Sequence, residues 1–185
     1  AHTVAVHGVD GQVRLRLRGE VIVVATGSAP NRPADITFDD ETVFDSTTVL
    51  RLPRMPRSMI VLGAGVIGVE YASIFAALGV AVTLVDTRAD LLPFVDREIA
   101  GLLRRELQRL GMAFVPDDHY AAVERLDGVP PAVRVTTRSG NVLEADVLLY
   151  CVGRDGNTRG LGLEAIGIQP DARGLLKVNE HFETV

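Results

Sequence analysis

A chain of 185 residues, 47% of them hydrophobic, is long and apolar enough to bury a real core, as one domain or as one domain with pieces of another. Its 24 acidic against 19 basic residues leave a formal net charge of -5, which argues against nucleic acid or an anionic membrane surface as a partner. No apolar stretch approaches the roughly 18 residues needed to span a bilayer. The start, Ala1-His2-Thr3-Val4, lacks signal-peptide form, and the single cysteine, Cys151, excludes an intrachain disulfide, so a cytoplasmic setting is expected.

Thr3 to Val6 and Gln12 to Leu17 alternate between apolar and polar residues around Gly8-Val9-Asp10-Gly11, the pattern of a β-hairpin. Glu20-Val21-Ile22-Val23-Val24-Ala25 reads as a continuous apolar strand, broken by Thr26-Gly27-Ser28-Ala29-Pro30. From Asn31 to Pro56 the chain is proline-rich and weakly periodic, a connection with one short helical piece at Ser46 to Leu50.

The stretch from Ser58 to Glu70 carries the most information. A short apolar run ends at Leu62, Gly63-Ala64-Gly65-Val66-Ile67-Gly68 follows as Gly-x-Gly-x-x-Gly, and Val69 and Glu70 continue into a helical pattern that stops at Gly79. A strand feeding a glycine turn and then a helix presents unpaired N–H groups and the positive end of the helix dipole, where a pyrophosphate can sit. Gly65 leaves the phosphates free to approach the backbone, and Gly68 lets the helix lie close on the sheet. A second strand, Ala81 to Val85, ends at Asp86, in the region where this motif places an acidic residue on the adenosine ribose. Without a ligand the same elements make a parallel strand–helix–strand unit with a glycine turn.

Asp96 caps a helix running to Leu110, with Ile99, Leu102, Leu103, Leu107 and Leu110 inward, and Gly111 ends it. Met112 to Val115 is a third strand. Tyr120 to Leu126, Ala132 to Thr137 and Val142 to Glu144 follow as an antiparallel meander, with turns at Asp127-Gly128 and Ser139-Gly140-Asn141. Asp146 to Val152 returns as a buried strand ending at Gly153-Arg154, and the tail holds a short strand around Leu175 to Val178. The fold class expected is α/β: a Rossmann-like parallel sheet with an inserted three-stranded meander and flanking β segments.

These motifs in this order resemble the two-dinucleotide flavoprotein reductases, the glutathione reductase and dihydrolipoamide dehydrogenase family. The resemblance rests on Ala25-Thr26-Gly27-Ser28, the Gly63 to Glu70 turn, Asp86, and Gly153-Arg154 with Asn157-Thr158. Leu161-Gly162-Leu163-Glu164 with Gly167-Ile168 adds to it. Within the family, Glu70-Tyr71-Ala72-Ser73-Ile74-Phe75, Asp45-Ser46 with Leu50, Tyr120, and Gly156 before Asn157 look most like the soluble pyridine nucleotide transhydrogenases.

The resemblance implies the central NAD(P) domain of a longer, homo-oligomeric flavoprotein. Residues 1–32 would be strands of its FAD domain, 33–153 the NAD(P)-binding domain and 154–185 the return toward the FAD domain. It implies NAD(H) or NADP(H) on Gly63 to Glu70, with FAD in the full-length parent and no general acid, base or nucleophile in this chain. Glu70 would reach toward the nicotinamide, Tyr120 would pack near the adenine, Gly153 would let the backbone approach the nicotinamide end, and Thr26, Gly27 and Ser28 would match a flavin-contacting turn. Asp86 would hold the ribose and repel a 2′-phosphate, favouring NAD, with Arg88 in partial compensation. Each has a plain structural alternative: a first-turn acid, a half-buried strand tyrosine, a solvated loop pair, a strand end. A disulfide reductase of the same fold and a stand-alone nucleotide-binding or sensor module are the competing functions.

Overall fold

Alternation along β1 (Thr3–His7) and β2 (Val13–Arg18) produces the expected antiparallel hairpin, with Val4 opposite Leu17 and Val6 opposite Leu15. The computed structural model describes residues 2–184. The apolar run from Glu20 to Ala25 is not a strand. Val21 and Val23 stand 79% and 80% exposed, and no strand pairs with the run among the described residues. A strand needs a neighbour to take its backbone N–H and C=O groups, so apolar β-branched sequence alone does not make one. The expected break just after it contains a strand instead, β3 (Ser28–Pro30), which pairs with Arg154–Gly156 further on.

The connection from Asn31 to Pro56 holds one buried strand the sequence pattern does not reveal, β4 (Val43–Asp45), before a 3-10 turn at Thr48–Arg51. Asp45 opens that turn by accepting from the N–H groups of Thr47 (2.7 Å) and Thr48 (2.9 Å). Then come β5 (Ser58–Leu62), α1 (Val66–Ala77), β6 (Ala81–Val85), α2 (Arg97–Arg109), β7 (Ala113–Val115), β8 (Tyr120–Leu126), β9 (Ala132–Thr137), β10 (Val142–Ala145), β11 (Val147–Tyr150) and β12 (Arg154–Gly156). A 3-10 turn follows at Leu163–Ile166. The expected strand at Leu175 to Val178 does not form. Leu175 is drawn back into a turn on Asp171, and Leu175 and Val178 stay exposed.

A parallel sheet of five strands, in the order β4-β11-β5-β6-β7, forms the centre, and β8, β9 and β10 form a separate antiparallel sheet of three. The pleat sorts the central strands into two cores. Met59, Val61, Val82, Leu84, Val147 and Leu149 join Val69, Ala72 and Phe75 of α1 in one. Ile60, Leu62, Val85, Leu148 and Tyr150 join Val133 and Val135 of β9 in the other, so the meander covers the face opposite α1.

Asp96 caps α2 as expected, accepting from Glu98 and Ile99 N–H, but the inward face differs. Ala100 and Leu107 are buried and Leu103 packs on the core, whereas Ile99, Leu102 and Leu110 are about half exposed. Both helices end in the same paired bonds, Gly79 N–H to Ala76 C=O with Val80 N–H to Phe75 C=O, and Gly111 N–H to Gln108 C=O with Met112 N–H to Leu107 C=O. The chain divides into two compact units, Ala1–Ala29 with Asp155–Val185, and Pro30–Arg154. Among the described residues no helix is long and apolar enough to cross a membrane.

Candidate dinucleotide site

The turn between β5 and α1 is built by three chain segments that meet at glycine. Gly63 sits at φ +101°, a conformation side chains resist, and a Cβ there would meet the Cys151 carbonyl carbon and oxygen at 3.0 Å. At Gly68 a Cβ would fall 1.8 Å from the Gly63 carbonyl oxygen. Backbone crossing, rather than a ligand, demands these two glycines, because α1 starts directly over the ends of β5 and β11. Gly65 is different. Its backbone is extended, and a Cβ there would have no protein atom within 4 Å. It caps α1 with no side-chain hydrogen bond, so Gly65, Val66 and Ile67 border open space at a helix N-terminus, whereas Ala64 is buried in the core beneath them.

Asp86, at the end of β6, holds this turn from behind. Its carboxylate accepts from Ala64 N–H at 2.5 Å and from Arg88 three times at 2.8 Å: the backbone N–H, Nε and Nη2. The side chain is 5% exposed while that of Arg88 is 43% exposed. Burial pushes the Asp86 carboxyl up, but the Arg88 fork and the Ala64 N–H outweigh it and hold it below the usual carboxylate range. Arg88 is raised in return, chiefly by its hydrogen bonds to Asp86. Ala64, Asp86 and Arg88 thus form one cluster.

The family model described as "Pyridine nucleotide-disulphide oxidoreductase" matches residues 2–185. The chain belongs to the pyridine nucleotide-disulphide oxidoreductases. Membership implies use of FAD and a nicotinamide dinucleotide. The chain is 45% identical over 184 residues to a soluble pyridine nucleotide transhydrogenase of Yersinia enterocolitica, covering 100% of this chain and 39% of that protein. It is 46% identical over 182 residues to one of Ectopseudomonas mendocina, covering 98% and 38%. Among solved structures, LpdA from Mycobacterium tuberculosis matches with a TM-score of 0.88 at 30% identity, over 98% of this chain and 39% of that one. The Cu(II) complex of the HOCl-induced flavoprotein disulfide reductase RclA from Escherichia coli matches with a TM-score of 0.84 at 31% identity, over 100% and 41%. The chain therefore spans about two-fifths of the length of the curated relatives it matches.

The remaining candidates of this pyridine nucleotide-disulphide oxidoreductase fall into four places. Glu70 is exposed on α1 and lines a groove of about 440 Å³ with Ser46, Ile67, Tyr71 and Arg154, next to the glycine turn in sequence. Tyr71 closes its floor by donating to the Ser46 carbonyl at 3.0 Å. Gly153, at φ +84°, turns the chain just after Cys151 passes over Gly63 and Gly68, and its carbonyl accepts from Asn31 N–H. Tyr120 lies on the meander side, its ring stacked on His119 at 4.5 Å and edge-on to Tyr150 at 6.2 Å, its hydroxyl on Asp35. Burial, then the neighbouring Tyr150 and Asp35, push that phenol up to about 12. Thr26, Gly27 and Ser28 belong to the smaller unit, where Asn157 binds the carbonyls of Thr26 and Gly27.

Two contributors escape a reading of motifs. Asp118 donates its N–H to the Asp86 carbonyl at 3.0 Å, while its carboxylate takes Ser139 and Asn141 of the β9–β10 turn, so it ties the meander to the Asp86 loop. Hydrogen bonds from the Ser139 and Thr137 hydroxyls hold it well below the usual carboxylate range. Tyr71, the other, sits beside Glu70 on α1 and supplies the groove floor. Neither spacing nor residue type distinguishes an Asp before a strand, or a helix Tyr, from any other. Cys151 is mostly buried, and burial followed by the Asp45 charge pushes its thiol up to about 12, so it stays protonated and inert.

Proposed function

We propose that this chain binds a nicotinamide dinucleotide, NAD(H) or NADP(H), with the pyrophosphate on Gly63 to Glu70, as the nucleotide domain of a longer FAD-dependent oxidoreductase. The single supporting observation is the contrast between its glycines: Gly63 and Gly68 are needed by the backbone, whereas Gly65 faces open space at an uncapped helix N-terminus. Val66 and Ile67 border the phosphates, Ala64 and Val69 support the turn from the core beneath it, and Asp86 and Arg88 mark the ribose end through Ala64. Glu70 with its groove takes the nicotinamide side, and Gly153 closes it. Tyr120 borders the adenine, and Thr26, Gly27 and Ser28 border the flavin of the parent.

The reading favoured by 45% and 46% identity is a soluble pyridine nucleotide transhydrogenase, moving hydride between NAD(H) and NADP(H). Bound flavin would supply the hydride acceptor and donor. This chain's residues bind and orient: the helix N-terminus meets the pyrophosphate charge, and the rigid β5–turn–α1 unit fixes the nicotinamide. The flavoprotein disulfide reductase RclA, at 31% identity, keeps a disulfide reductase as the second reading.

The test is calorimetric titration with NADH and NADPH. Gly65→Val puts a side chain into the open space without a backbone clash. It should lower affinity for both at least about tenfold, roughly 1.4 kcal/mol, while the melting temperature holds. Equal affinity in both proteins would show that the phosphates bind elsewhere.

A further inference from the structure

We infer that the hollow between the β6–α2 loop and the flank of α2 binds a small carboxylate with an apolar body, at a site separate from the glycine turn. The hollow measures about 210 Å³. Leu91 and Ala100, both buried, give it an apolar floor with Pro93 and Val95, and the side chains of Arg97 and Arg104 line it as well. Its walls are tied down. Leu91 belongs to the core beneath α1, Val95 N–H donates to the Leu92 carbonyl at 2.8 Å, and the Asp96 carboxylate holds the start of α2. The hollow is therefore formed before any ligand arrives, which lowers the cost of binding.

Two features ask for an occupant. The first is charge. Among the described residues no carboxylate pairs with Arg97 or Arg104. Arg104 lies instead over the Phe114 ring at 4.8 Å, which restrains the guanidinium and leaves its N–H edge free for an acceptor. Asp90, exposed at the rim, is the one acid lining the hollow, so two cations face one anion in a chain of net charge -5. The second is Gly101. It stands inside α2, where alanine is the better helix former. The fold does not require glycine there, since a Cβ would meet only the tip of the Arg105 side chain, at 3.8 Å. Gly101 lines the hollow, and its missing side chain keeps that wall open. An apolar cavity of about 150 Å³ holds a benzene ring. This hollow takes a body of that size with room for a carboxylate, which the two guanidiniums fix by charge-assisted hydrogen bonds. Asp90 disfavours a second negative charge, so the site selects a monoanion over a phosphate dianion.

The test is an NMR titration of the isotope-labelled chain with benzoate and with benzamide, its uncharged counterpart. Benzoate should shift the amide signals of residues 90–104 saturably, with a Kd on the order of 1 mM, and benzamide should bind at least about tenfold more weakly. Arg97→Gln and Arg104→Gln should each weaken benzoate about fivefold or more, and Gly101→Leu, which fills the hollow, should abolish the shifts while the melting temperature holds. Equal binding of the two probes overturns the proposal, and that comparison needs no variant to fold. So do benzoate shifts confined to other parts of the chain, or an unchanged benzoate affinity in Gly101→Leu. The titration is repeated with saturating NADH. An unchanged benzoate affinity supports a separate site, whereas competition would assign Arg97 and Arg104 to the dinucleotide and overturn the inference.

Discussion

At the scale of single residues, the two inner glycines and the outer one carry different burdens. Gly68→Ala drives a methyl onto the Gly63 carbonyl oxygen, and the backbone of α1 or β5 must move to relieve it. Overpacking of this kind typically costs about 1–3 kcal/mol and sometimes more. Gly68→Ala should therefore lower the denaturation midpoint clearly or abolish folding. Gly65→Ala should shift it by less than about 1 kcal/mol. Urea unfolding of the two variants decides the matter, and equal midpoints would show that α1 does not cross β5 this closely. The Gly-x-Gly-x-x-Gly spacing displays all three glycines alike; only the backbone geometry shows which serve the fold.

At the scale of elements, β5, α1, β6 and the meander could be read from the sequence because each has a full period of apolar residues and a glycine or Asx stop. Three short pieces could not. β4, β3 and β12 are each three residues long and owe their existence to the strand beside them. The run from Val21 to Val24 fails for the converse reason, having composition without a neighbour. The face of α2 is misread because Leu and Ile ring the helix on two sides. Ala100 and Leu107 make the buried stripe and Arg104 lies over Phe114 at 4.8 Å, while Ile99 and Leu102 stay about half exposed. The cap at Asp96 is secure from sequence, since it needs only local geometry. Asp96→Ala should cost about 1 kcal/mol of stability by leaving the Glu98 and Ile99 N–H groups without their side-chain acceptor. Chemical denaturation reads this directly, and no change would mean that water serves the helix end equally well.

At the scale of the whole molecule, stability is tied to acid through Asp39, Asp45, Asp86, Asp118 and Asp146, all held below their ordinary range in the folded chain. Burial raises Asp39, but the N–H groups of Val43, Glu41 and Thr42 outweigh it; for Asp146 the Arg57 side chain leads. A group whose pKa is lower folded than unfolded contributes fully above the unfolded value, about 3.9, and loses that contribution as pH falls through the folded value. Melting temperature should therefore drop progressively below about pH 4, and Asp86→Asn should flatten part of that drop. Melts followed by circular dichroism over a pH series check this, and a melting temperature indifferent to acid would mean these carboxylates are idle.

The bare run from Val21 to Val24 has one more consequence, for colloidal behaviour. Four consecutive β-branched residues, 79%, 45%, 80% and 39% exposed and with no pairing strand described, are a template for strand addition between copies of the chain. In concentrated solution the chain should scatter light increasingly with time and lose monomer, with Val23→Lys delaying both as a charged gatekeeper. Scattering that is low and equal for the two proteins would show that this segment is shielded in solution.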